Sequence, residues 1–283
     1  MPSSSTPTER QKRLGAELRK MRVATEATTT YAAGLLGVDR TKVSNMESGV
    51  RPITSARVRT LACNYACADA DYVDALVDMA EQRESGWWEQ YRGTLPSGLL
   101  DIAELEWHAQ RIRTAQTVHL PGLLHTDGYA RAVFGAVLPE LSRLEIELRV
   151  AHRMERQQVL EGETPTDYVS YVHEAALRMQ FGGRAVTREQ LLHLCEMSER
   201  EHIDVRVIPV DRGAFPGAGH ALLYAHGVVP QLDTVQLDSA HGPEFMHAEA
   251  QLTKYRAHLD WMAEASLSPS DSRDFVRAVS HQL

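Results

Sequence analysis

Cysteine is nearly absent from this sequence: 283 residues carry three, Cys63, Cys67 and Cys195. So sparse and odd a set excludes a disulfide framework and predicts reduced thiols in a reducing compartment. Cys63 and Cys67 lie one helical turn apart, but no second Cys or His pair stands near them at zinc-site spacing. Both therefore read as small buried hydrophobes, and no metal site is expected. Also missing is any run of about 20 apolar residues, the length that crosses a bilayer, so no membrane contact is predicted. "MPSSSTPTERQKR" lacks an apolar segment after its charges, which argues against a secretory signal and for the cytoplasm. Catalytic signatures are missing as well. The histidines scatter without H-E-x-x-H spacing, and no G-x-S-x-G elbow occurs. The glycines of "GGRAV" and "GAFPGAGHA" do not join a strand to a helix as a phosphate loop does. Neither an enzyme nor a cofactor is expected.

Positive charge is in deficit overall, 30 Lys and Arg against 38 Asp and Glu, a formal net charge of -8. The deficit is uneven. Residues 1–60 hold eleven Lys and Arg against five Asp and Glu, a formal +6, which leaves -14 for the rest. Fields between exposed charges are screened over ~8 Å at physiological salt, so a basic head can bind phosphates despite an acidic body. Length alone favours two domains. A mobile tail is expected over residues 1–9, a helix-turn-helix domain over 10–80 and an α+β domain over 81–283, with the boundary between about 78 and 86.

The head reads as short helices. Leu14, Leu18 and Met21 fall at i, i+4, i+7 beneath a basic face. "TTTYAAGLLG" follows, with Thr29 or a neighbour as cap and Gly37 as stop. Asp39 caps the next helix and Gly49 closes it. "SARVRTLACNYACA" and "DADYVDALVDMAEQRE" complete a bundle of five. Beyond it, 99–116 and 127–160 carry helical patterns. "YVSYVHE", "IDVRVIPV", "HALLYAH" and "DTVQLDS" are short runs bounded by Gly, Pro and Asp that predict strands. "REQLLHLCEMSERE" and two helices broken at Ser268 and Pro269 finish the chain. The fold class is mainly α with a small β-sheet, a five-helix head followed by a larger α+β domain.

In "GVDRTKVSNMESG", Val38, Val43 and Met46 form an inward side, and Arg40, Thr41, Lys42, Ser44 and Asn45 an outward one. Such a helix presents hydrogen-bonding groups to base edges. Arg favours guanine, Asn favours adenine, Thr meets a polar edge or a thymine methyl, and Lys42 suits a phosphate. With "VSNMESGVRPI", the segment resembles the helix-turn-helix of the Xre, or Cro/cI-like, repressor family. The resemblance implies base contacts from Arg40, Thr41 and Asn45, further DNA contacts from Thr29, Thr30 and Arg51, and a structural Glu47. Thr29 stands where that family often carries a bracing Gln. It also implies a homodimer on double-stranded DNA, with half-sites one turn, ~34 Å, apart.

"VHLPGLLHTDGYARAVF", "HEAALRMQFGG", "REQLLHLCE", "IDVRVIPV" and "SLSPSDSRDFV" occur in the order found in an actinobacterial group of Xre-type regulators, the WhiJ-like proteins. The sequence resembles that group over about 10–280, with His125 where Gln is more usual. The resemblance implies an antitoxin-like or developmental regulator whose second domain binds a small co-encoded partner protein or a small-molecule effector. In a second reading, neutralising that partner is the main role and DNA binding serves autoregulation. "PGLLHT", with Leu124 and His125, is either a helix-entry turn or a ligand contact. Trp87, Trp88, Tyr91 and Trp107 line either a pocket or partner groove, or the core that joins the domains.

Overall fold

The computed structural model describes residues 6–82, 86–213, 215–216, 219–239 and 241–283. It divides into two compact units, the first ending at Glu89 and the second beginning at Gln90. The boundary expected between about 78 and 86 overlaps residues 83–85, which lie outside the described residues, as do residues 1–5 of the tail.

The first unit is the expected bundle of five helices: α1 (Glu9–Ala24), α2 (Thr29–Leu36), α3 (Arg40–Glu47), α4 (Ser55–Asn64) and α5 (Ala70–Glu81). Local chemistry sets each boundary. Thr8 and Gln11 form a capping box on α1, Thr28 caps α2, and Asp39 caps α3 by accepting from the Lys42 amide at 2.7 Å. Each side-chain oxygen satisfies an amide that the first turn leaves without a helical partner. Gly37, at φ 61°, ends α2 in the left-handed conformation that glycine adopts without a Cβ penalty. Leu14, Leu18, Met21, Val43, Met46, Val58, Leu61 and Leu76 fill the core. Cys63, expected to be buried, is exposed on α4 and Cys67 is half-buried.

Two glycines set how closely α1 approaches α3. A Cβ on Gly15 would lie 2.6 Å from the carbonyl oxygens of Met46 and Glu47. One on Gly49, already at φ 76°, would lie 2.7 Å from the backbone of Gln11 and Lys12. Backbone cannot swing aside as a side-chain tip can. Gly15→Ala is therefore expected to cost about 1–3 kcal/mol, the usual range for overpacking. Thermal denaturation followed by circular dichroism measures it; an unchanged midpoint would show that the contact is slack.

The second unit holds α6 (Ser97–His108), β1 (Arg111–Gln116), α7 (Asp127–Gly135), α8 (Arg143–Arg156), β2 (Asp167–His173), α9 (Glu174–Arg178), α10 (Arg184–Met197), β3 (Ile203–Ile208), β4 (Leu222–His226), β5 (Thr234–Ser239), β6 (Gly242–Met246), α11 (Glu249–Ala265) and α12 (Pro269–Gln282). Its six-stranded sheet has the order β3-β2-β1-β4-β5-β6. β1, β2 and β3 run parallel, and β4, β5 and β6 add as antiparallel neighbours. Ile112, Tyr168, Val172, Val205 and Leu223 on one face pack with Leu124, Tyr129, Leu191, Leu194 and Val276. Ala115, Tyr171, Tyr224 and Val235 on the other pack with Leu252, Leu259 and Met262 of α11. The unit is thus helical on both faces of its sheet.

Two expectations about elements need correction. Residues 99–116 are not one helical segment: α6 ends at His108 and 111–116 is the strand β1, which lies between β2 and β4. "RIRTAQ" contains good helix formers, but pairing on both edges and burial of Ile112, Thr114 and Ala115 override that preference. Residues 127–160 are not continuous either, since α7 and α8 are separated by 136–142, which contains Pro139. The edge strand β6 carries no strand pattern in the sequence; its Pro243 cannot donate to a ladder, which suits an edge position.

Candidate nucleic-acid interface and the polar interior of the second unit

At about 100° per residue, the two buried positions of α3, Val43 and Met46, fix the direction that faces the bundle. Opposite them lies Thr41, flanked by Ser44 and Asn45, with Arg40 at the helix start. Arg40, Thr41 and Ser44 are exposed and Asn45 is half-buried. Lys42 sits nearer the buried side and pairs with Asp39 at 2.9 Å. Hydrogen bonds from the Lys42 side chain and amide hold the Asp39 carboxyl below its ordinary value. Arg51 is exposed beyond the helix, and its amide donates to the Asn45 carbonyl at 2.9 Å. Among the described residues, neither Arg40 nor Arg51 has an acidic partner. Thr29 and Thr30 open α2, the first half-buried and the second exposed.

The back of α3 is held by Glu47. Its two carboxylate oxygens accept from Arg22 Nε at 2.6 Å and Nη2 at 2.8 Å, while Arg22 Nη1 donates to the Ala27 carbonyl at 2.8 Å. The hydrogen bond to Glu47 raises the Arg22 guanidinium above its ordinary value. This planar two-bond pairing fixes orientation as well as distance, which a single lysine contact would not do. On the far side of α1, Glu17 accepts from Tyr72 of α5 at 2.5 Å and pairs with Arg13 at 3.1 Å. α1 is therefore anchored to both α3 and α5, and the outward face of α3 is rigidly presented.

The residues expected to bind a ligand or partner are placed very differently from one another. Trp87 is half-buried and Trp88 buried, their rings edge-to-face at 5.9 Å. Tyr91 is buried edge-on against His152 at 5.1 Å. Trp107 is 47% exposed although its neighbour Glu106 is fully buried. Leu124 belongs to the core, and His125 beside it is buried. His125 Nε2 donates to the Leu120 carbonyl at 2.8 Å, which leaves Nδ1 to accept from Arg153 Nη1 at 3.2 Å. That arrangement requires a neutral ring, and burial together with Arg153 pushes its pKa well below the ordinary value.

Sequence reasoning missed the groups around His125. Arg156 pairs with Glu106 through two bonds, Nε to Oε2 at 2.8 Å and Nη2 to Oε1 at 2.6 Å. His152 is buried, and burial followed by repulsion from Arg156 lowers it to about 3. Arg153 lies over the Phe134 ring at 4.2 Å. "AHRMER" reads as the charged outer face of a helix, and no spacing rule marks it as interior. Among the described residues, no group of three or more His, Cys, Asp or Glu side chains is arranged to hold a metal. No helix there is long and apolar enough to cross a membrane.

Residues 13–76 match a helix-turn-helix domain, which makes the first unit the domain type found in DNA-binding regulators. No curated protein and no solved structure matches the chain. Residues 99–278, well over half of the sequence, match the family described as Domain of unknown function (DUF5753), and the chain belongs to that family.

Proposed function

We propose that the protein is a sequence-specific transcription regulator of the Xre type that binds operator DNA as a homodimer and is controlled through its second unit by a small partner protein or ligand. The observation that carries this reading is the outward face of α3. Thr41, Ser44 and Asn45 are presented there beside two cations without acidic partners among the described residues, Arg40 and Arg51, while Glu47 clamps the opposite side to Arg22. Side chains that read bases must be free of intramolecular partners yet held in a fixed frame. Arg40 and Asn45 are assigned to base edges, with Thr41 between them. Lys42, Arg51, Thr29 and Thr30 are assigned to phosphates. The WhiJ-like order of motifs in the second unit supports the assignment of control to that unit.

A mobility-shift series on the chain's own promoter region tests the assignment. Arg40→Ala and Asn45→Ala should each weaken specific binding about 5–150-fold, the ~1–3 kcal/mol of a lost bidentate base contact, and relax preference at one base pair. Lys42→Ala should weaken all sequences alike and flatten the salt dependence. If the first two variants keep the wild-type sequence preference, α3 does not read DNA through these residues.

A further inference from the structure

The face of the sheet that carries Ile112 and Tyr168 is not apolar throughout. Register places Ser170 of β2 beside Thr114 of β1, Thr114 beside Leu223 of β4, and Leu223 beside Gln236 of β5. Strand alternation puts Gln116 and Asp238 on the same face. Thr114, Ser170 and Gln236 are all buried. Thr114 Oγ1 donates to Ser170 Oγ at 2.9 Å and lies 3.2 Å from Tyr168 Oη, and Gln236 Nε2 donates to Asp238 Oδ1 at 2.8 Å. A hydrophobic core gains nothing from so many polar groups in one place.

Arg153 and Arg156 of α8 lie within electrostatic reach of this face, Asp238 acting on both and Tyr168 on Arg156. Glu106 satisfies Arg156. Among the described residues nothing comparable satisfies Arg153: its direct contacts are the neutral His125 ring and the Phe134 face, and its Nε is sealed from solvent without a partner there. Arg153 as a residue is half-buried. Burial, followed by repulsion from Arg156, lowers the guanidinium to about 9, with exposed Asp238 the first of the opposing charges. A guanidinium offers five donors in a planar fork, and Arg153 uses one on His125.

We propose that Arg153 anchors a binding site for a small anion, a carboxylate or a phosphate, seated between α8 and the polar sheet face formed by Thr114, Ser170 and Gln236. The anion accepts from the unused donors of Arg153, and the hydroxyls and amide of the sheet face orient the remainder of the ligand. His125 is a positioning residue: its Nδ1 holds Nη1 and so turns the fork. This deepens the reading of the second unit as the controlling one and rests on that reading for its consequence, though not for its existence.

The 283-residue chain is titrated with sodium succinate and, separately, with sodium phosphate at pH 7.5, ionic strength being held constant with sodium chloride. Thermal midpoint is the readout. A saturable rise of roughly 3 °C or more is expected with at least one of the two, and it should vanish in Arg153→Met, which itself should be no less stable than wild type. Arg153→Lys separates the sources: a point charge retains phosphate but loses the two-bond grip on a carboxylate. Phenylglyoxal labelling read by mass spectrometry gives a second measure on the unaltered chain, since a bound anion should protect Arg153. No saturable rise with either anion, or an equal rise in Arg153→Met, overturns the site. Mobility shifts with the same anions keep the two questions apart. Anion binding that leaves DNA affinity unchanged upholds the site and removes only its regulatory consequence.

Discussion

Glu106→Ala is expected to remove about 3–5 kcal/mol from the stability of the second unit, the cost of breaking a buried ion pair from one side. Glu106 is fully buried and Arg156 nearly so, and the carboxylate takes both bonds of the guanidinium. Glu106 is what raises Arg156 above its ordinary value against the lowering by burial. Without it, Arg156 would stand beside Arg153, His125 and His152, with Asp238, an exposed side chain, as the main remaining opposing charge on the two arginines. The loss therefore comes mostly from the orphaned cation rather than from the attraction itself. The double variant Glu106→Leu/Arg156→Met separates the two, because it removes both charges at nearly constant volume and should recover most of the lost stability. Urea denaturation of the three proteins measures this. A loss below ~1 kcal/mol in Glu106→Ala would mean that water reaches Arg156.

What the sequence allowed to be read divides along the same line as its chemistry. Caps and stops are local: Asp39, Gly37, Gly49 and Ser268 do in the structure what their side chains or missing Cβ atoms predict. Hence the five-helix head, the helix break before Pro269 and four strands were visible in advance. β1 was not, because "RIRTAQ" has the composition of a helix and becomes a strand only through β2 and β4, which are distant in sequence. The face of α3 was visible because a helix converts spacing into direction. The interior around Arg153 was hidden for the opposite reason. Charged residues in a helix are ordinarily its wet face, and only the tertiary placement of Glu106, His125 and Phe134 turns Arg153 and Arg156 inward. His125 stands out in sequence through its place in "PGLLHT", whereas His152 lies inside a charged helical run that marks it in no way.

Acid should unfold the second unit well before its carboxylates titrate. Both His125 and His152 are buried and neutral in the fold, and in both cases burial is the first cause and a neighbouring arginine the second. Arg153, Arg156 and His119 face His125, and Arg153, Arg156 and the Tyr91 ring face His152. In the unfolded chain each ring takes up a proton near 6.5, while His152 in the fold resists until about 3. Below 6.5 the unfolded state therefore binds more protons than the folded one. Stability is complete above that pH and falls as pH falls, by ~1.4 kcal/mol per unit for each ring. Between pH 6.5 and 5 His152 alone removes about 2 kcal/mol, and His125 adds to the loss in the same direction. Urea midpoints taken from pH 7.5 to 5 test it, with His125→Asn/His152→Phe as the partner protein. The double variant starts less stable but should lose much less per pH unit. Equal slopes in the two proteins would assign the acid sensitivity to other groups. A bound anion at Arg153 would weaken the cationic repulsion on His125 and move the same transition to lower pH, so the slope measured with and without phosphate also reports on occupancy of that site.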